Sequence, residues 1–159
     1  MGIPVLAPST KNQRGFTLIE LIIAMAVLAV VVGVAFPSFQ SMLAEQRVKA
    51  ASEGLAMSIL YARSEAIKRR AAVDVSQLDS SWNNGWEVKQ GTNVLRKDSM
   101  SGVAITGVSS SSLSLNRNGR LSSTFSFAIC DSAGKATKRV LAVSIGGQTR
   151  VSKGGSCTE

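Results

Sequence analysis

From Phe16 to Phe36 the chain runs for 21 residues with a single charged side chain, Glu20. As a helix rising 1.5 Å per residue, that run is about 31 Å long, the thickness of a bilayer core. A segment of this kind must cross a membrane or be surrounded by other apolar helices. Lys11 and Arg14 precede it and no acid does, so the positive-inside rule keeps residues 1–15 cytoplasmic and sends the remainder outward. An ordinary secretory signal, cleaved near Gly33-Val34-Ala35, would need an apolar region of only about 7 to 15 residues. Glu20 argues against that alternative. An acid inside an apolar span costs about 2.5 kcal/mol or more unless it is paired, so Glu20 requires a partner or a place near the membrane edge, where the helix dipole favours it.

The junction Lys11-Asn12-Gln13-Arg14-Gly15-Phe16-Thr17-Leu18-Ile19-Glu20-Leu21 resembles the start of type IV pilins and their relatives in type II secretion. The resemblance implies cleavage between Gly15 and Phe16 by a prepilin peptidase, which also acts as an N-methyltransferase on Phe16. Glu20 then becomes the fifth residue of the mature chain, and its implied partner during assembly is the amine of Phe16 on a neighbouring subunit. Beyond the junction, Leu60-Tyr61-Ala62-Arg63-Ser64-Glu65-Ala66-Ile67, Asn84-Gly85-Trp86 and the final Gly146-Gly147-Gln148-Thr149-Arg150-Val151 are similar to the minor pilins and pseudopilins of the FimT/FimU/GspH group. The implied partners are other major and minor pilins or pseudopilins. The implied location is the inner membrane with a periplasmic head, followed by a pilus or pseudopilus filament.

Periodicity divides the chain into a stalk and a head. Val48, Ala51, Leu55, Ile59, Ala62 and Ala66 recur at three and four residues, predicting that a helix continues to about Arg70 with one face packed on a sheet. Pro37 is expected to bend it. Arg63 and Glu65 read as solvated charges on the polar face. After Arg70 the pattern becomes short alternating runs, Phe125-Phe127-Ile129 and Leu141-Val143-Ile145 among them. Asn83-Asn84-Gly85 and Asn118-Gly119 carry turn chemistry, and Ser109 to Ser112 read as a loop. Trp82 and Trp86 are expected in the core of the head. The predicted class is α+β and pilin-like, with an antiparallel head. The segments are a leader at 1–15, a membrane or filament-core helix at 16–36, its amphipathic continuation at 37–70 and a β-rich head at 71–159.

Composition narrows the chemistry. There is no histidine, which removes the commonest general base and metal ligand, and no Gly-x-Ser-x-Gly nucleophile motif occurs. The expectation is a structural protein with no catalytic residue, cofactor or metal. The two cysteines, Cys130 and Cys157, both fall in the part expected outside the cytoplasm, and a bridge between them is favoured over two free thiols. Two thiolates without histidine cannot complete a four-ligand zinc site.

Lys135, Lys138, Arg139, Arg150 and Lys153 concentrate positive charge between the cysteines of a chain with net charge +8. In FimT-type pilins of natural transformation a Gly-Arg-x-Arg stretch binds DNA. Here the matching residues are Gly147-Gln148-Thr149-Arg150, with glutamine in place of the first arginine. Double-stranded DNA is accordingly a candidate partner, held through phosphates, and a solvated basic face is the competing reading.

Overall fold

The computed structural model describes residues 16–157. The expected leader, with Lys11, Arg14 and Gly15, lies outside them. One helix, α1 (Leu18–Arg69), carries Pro37 within it, and the chain divides into compact units between Pro37 and Ser38.

In the first unit every large apolar side chain from Phe16 to Phe36 is exposed, and the helix is long and apolar enough to cross a membrane. Its start is closed by a reciprocal pair. The Glu20 N–H donates to Thr17 Oγ1 (3.3 Å), while the Thr17 N–H and hydroxyl both donate to Glu20 Oε2 (2.9 Å each). This Thr-x-x-Glu capping box satisfies helix-end donors that would otherwise lack partners.

In the second unit, the remainder of α1 buries Ala44, Val48, Ala51, Leu55, Ile59, Ala62 and Ala66. The alanines in that stripe let strands approach closely, and Gly54 does the same for Trp86, whose ring would lie 3.5 Å from a Cβ added there. The helix ends in a Schellman motif. The Ala71 N–H donates to the Ala66 carbonyl and the Arg70 N–H to that of Ile67, with Arg70 at φ +52°.

Eight strands follow: β1 (Val73–Leu78), β2 (Ser81–Gln90), β3 (Asn93–Ser99), β4 (Val103–Thr106), β5 (Ser112–Leu115), β6 (Phe125–Asp131), β7 (Arg139–Val143) and β8 (Thr149–Lys153). They form two antiparallel four-stranded sheets, ordered β3-β2-β1-β5 and β4-β6-β7-β8. Val73, Val75, Trp86, Val88 and Leu113 of the first sheet and Phe127, Ile129 and Leu141 of the second bury their side chains in one core with the α1 stripe. Trp82 meets Phe127 edge to face at 5.2 Å, tying the sheets together, and its indole N–H donates to the Ser110 carbonyl.

One turn signal has a different outcome. Asn83-Asn84-Gly85 lies inside β2 rather than between strands. Gly85, at φ +116°, lets β3 come so close that a Cβ would sit 2.1 Å from the Asp98 carbonyl oxygen. Asn83 uses its side chain instead of its turn propensity, accepting the Ile105 N–H of β4 at 2.7 Å and so linking the two sheets. Asn118-Gly119 does form a turn, joining β5 to the segment before β6.

Candidate functional site

Two surfaces of the second unit are candidates for a functional role: the outer side of α1 and the basic strands near the disulfide. On the side of α1 away from its buried stripe, Phe39 (58% exposed), Met42 (61%), Met57 (59%), Leu60 (39%) and Ile67 (48%) face solvent. This side of α1 thus carries two exposed apolar patches, one at Phe39 and Met42 and one at Met57, Leu60 and Ile67, separated by the exposed polar residues Gln46, Lys49 and Glu53. Exposed apolar patches of this kind can mark interaction surfaces.

Cys130 of β6 and Cys157 are joined in a disulfide with a Cα separation of 5.7 Å. Backbone bonds from Gly154 to the Lys138 carbonyl and from Lys138 to the Gly155 carbonyl extend the β7–β8 pairing toward the bridge. The C-terminal segment is therefore held against the second sheet by both covalent and hydrogen bonds.

The structure divides the sequence-selected basic residues. Lys135 donates to Gln40 of α1, and the Thr137 N–H donates to Glu45 Oε1 at 2.7 Å. Hydrogen bonding by Thr137, through side chain and backbone, holds the Glu45 carboxyl below its ordinary range, and the charges of Lys153 and Arg139 act in the same direction. Arg139 and Lys153 are cross-strand partners, in phase with the buried Leu141. Arg150 pairs with Ala142, one residue out of phase, so it stands on the opposite face. There it borders an open groove of about 730 Å³ with Ser126, Ala142 and Thr149. Lys138 is half-buried beside Gly154. The five cations do not share one surface.

Two helix charges read as solvated are not. Glu65 is buried and receives Arg69 at 2.5 Å and Lys68 at 3.7 Å. The Arg69 hydrogen bond holds its carboxyl below the ordinary range. Arg63 is half-buried, with its stem under Gly119 and Gly147. Helical periodicity alone missed both because the strands wrap further around α1 than its apolar stripe extends. The sequence reading also missed Asp98 of β3, which accepts Ser58 Oγ of α1 at 2.8 Å and Arg96 Nε at 2.7 Å, anchoring the helix to the edge of the first sheet. Burial pushes the Asp98 carboxyl up, but these hydrogen bonds and the Arg96 charge outweigh it, leaving it below its ordinary range.

The model of the prokaryotic N-terminal methylation motif matches residues 10–36, and that of the type II transport protein GspH matches residues 51–147. Two crystal forms of the type IV minor pilin FimU from Pseudomonas aeruginosa are similar to this chain. They are 28% and 27% identical, cover 69% and 70% of this chain and 98% and 96% of their own, and superpose with TM-scores of 0.57 and 0.59. The minor pseudopilin EpsH of the Vibrio cholerae type 2 secretion system, 15% identical over 67% of this chain and 97% of its own, has the same fold at a TM-score of 0.52. The methylation motif implies processing by a prepilin peptidase and association with other pilins or pseudopilins, and the apolar helix implies membrane anchoring and filament assembly. With its match extending over more than half of the chain, this protein belongs to the type II transport protein GspH family and is a minor pilin or pseudopilin of the GspH/FimU type.

Proposed function

We propose that this chain is a minor pilin of a type IV pilus, a structural subunit that helps initiate assembly or stands at the tip. The observation that carries the assembly role is the pair of exposed apolar patches on the outer side of α1, Phe39 with Met42 and Met57 with Leu60 and Ile67, which a solitary head domain would have no reason to expose. Similarity to FimU, in identity and in superposition, supports the pilus over the secretion machine. Cleavage between Gly15 and Phe16 frees the amine that is methylated, and the head faces the periplasm until the subunit leaves the inner membrane. The Thr17–Glu20 capping box gives the acid a local partner while the subunit waits in the bilayer. A neighbour's Phe16 amine then takes over that carboxylate in the filament. Because strand parity places Arg150 away from Arg139 and Lys153, the reading rests on assembly rather than on DNA capture.

The test is replacement of Met57 and Leu60 by glutamate in cells lacking the native copy. The reading expects a folded, processed protein at normal levels and few or no surface pili. Normal piliation would overturn it. The GspH match favours a second reading, a pseudopilin, under which the same variants leave pili intact and abolish type II secretion.

A further inference from the structure

At the end of the head where α1 finishes, a shallow groove of about 480 Å³ is lined by Ile67, Arg70, Arg117 and Asn118. Among the described residues, neither Arg70 nor Arg117 pairs with a carboxylate, nor do their neighbours Arg63 and Arg120. The nearby acid Glu65 is already occupied by Arg69 and Lys68. Arg63 passes beneath the Asn118-Gly119 turn, its Cγ only 2.8 Å from where a Gly119 Cβ would sit, and its buried Nε has no hydrogen-bond partner. Four arginines therefore gather at this end of the head with no carboxylate among the described residues paired to any of them.

The backbone adds an independent argument. Arg70 occupies the left-handed position that closes the Schellman motif, where glycine is ordinarily favoured and a side chain costs roughly 1 kcal/mol or more. The residue that bears this cost is one of those that line the groove. Arg70 at the end of α1, Arg117 in the turn after β5 and Asn118 line one groove, and two guanidinium groups from separate parts of the chain suit a tetrahedral oxyanion that accepts hydrogen bonds on several sides. A planar carboxylate is satisfied by one guanidinium fork.

We propose that the Arg70–Arg117 groove is a phosphate-binding site, distinct from the basic strands near the disulfide, which takes a phosphoryl group from a phosphorylated small molecule or a nucleic-acid backbone. It does not depend on which filament the chain enters.

The experiment titrates the full chain in detergent micelles with sodium tripolyphosphate by calorimetry at low salt, using wild type, Arg70→Gly, Arg117→Ala and Arg150→Ala. Loss of one charge-assisted contact is expected to weaken binding at least about tenfold in each groove variant. Arg150→Ala should change it less than about twofold, as expected for a surface substitution away from the site. Arg70→Gly serves a second purpose, because it should melt at a higher temperature than wild type while binding worse, a combination that misfolding cannot produce. No uptake by wild type, or equal uptake by the groove variants, overturns the proposal. Competition identifies the source. Displacement of tripolyphosphate by inorganic phosphate points to a small molecule and displacement by a short DNA duplex to a nucleic-acid backbone, whereas displacement by neither contradicts the phosphate assignment.

Discussion

Removing the disulfide should cost the head a calculable amount of stability. Cys130 and Cys157 are 27 residues apart in sequence, and the closed loop contains β7 and β8. In the chain-entropy model a loop of this length removes about 12 cal/mol/K from the unfolded ensemble, or about 3.6 kcal/mol at 25 °C. For the unit of Ser38–Glu159, with an unfolding entropy of about 2.1 cal/mol/K per residue, that lowers Tm by about 14 °C. Cys130→Ser/Cys157→Ser keeps side chains of similar size while abolishing the tether. Both tryptophans, Trp82 and Trp86, are buried in the head, so their fluorescence in a urea titration of the full chain reports that unit and not the membrane helix. The expected result is a loss of about 3 to 4 kcal/mol. A loss below about 1 kcal/mol would refute the tethering argument, since the backbone bonds of Gly154 and Gly155 to Lys138 would then hold the segment unaided.

Three other outcomes rest on particular contacts. Gly85→Ala forces a Cβ into the Asp98 carbonyl at positive φ and should destabilise the head by about 2 kcal/mol or more, read from the urea midpoint. Arg70→Gly removes a side chain from a left-handed position and should raise stability by about 1 kcal/mol in the same titration. The Asp98 carboxyl is depressed in the folded head, so the stability it supplies is complete above its unfolded pKa of about 4 and is lost as pH falls through the lower folded value. Unfolding midpoints measured from neutral pH down to strong acid should therefore fall, and less steeply for Asp98→Asn.

The helix was the most legible element because its signal is local. The three-and-four spacing of Val48, Ala51, Leu55, Ile59, Ala62 and Ala66 is a property of the chain, and all six are buried. The pairing of strands was not legible, since β1 is bonded to both β2 and the distant β5, and β4 to the distant β6. Asn83-Asn84-Gly85 shows how that non-local arrangement changes local meaning. Turn-forming residues there give an internal close approach and a link between sheets, because β3 and β4 supply the partners. Alternation within β8 already separates Arg150 from Lys153, yet the separation acquires consequence only once Val151 is known to face the core beside Leu141. Glu65 and Arg63 were misread for a related reason, as burial on α1 depends on strands and turns that its own periodicity does not encode.

The central claim, that this is a processed pilin-type subunit, is tested most directly by the mature N-terminus. Intact-mass and N-terminal peptide spectrometry of the protein from membranes or filaments should find N-methylphenylalanine at Phe16, with Glu20 as the fifth residue. Gly15→Val should leave an uncut, unmethylated precursor in the membrane. A mature chain beginning near Phe36 would mean that an ordinary signal peptidase removes the whole apolar run, and that result would contradict the account.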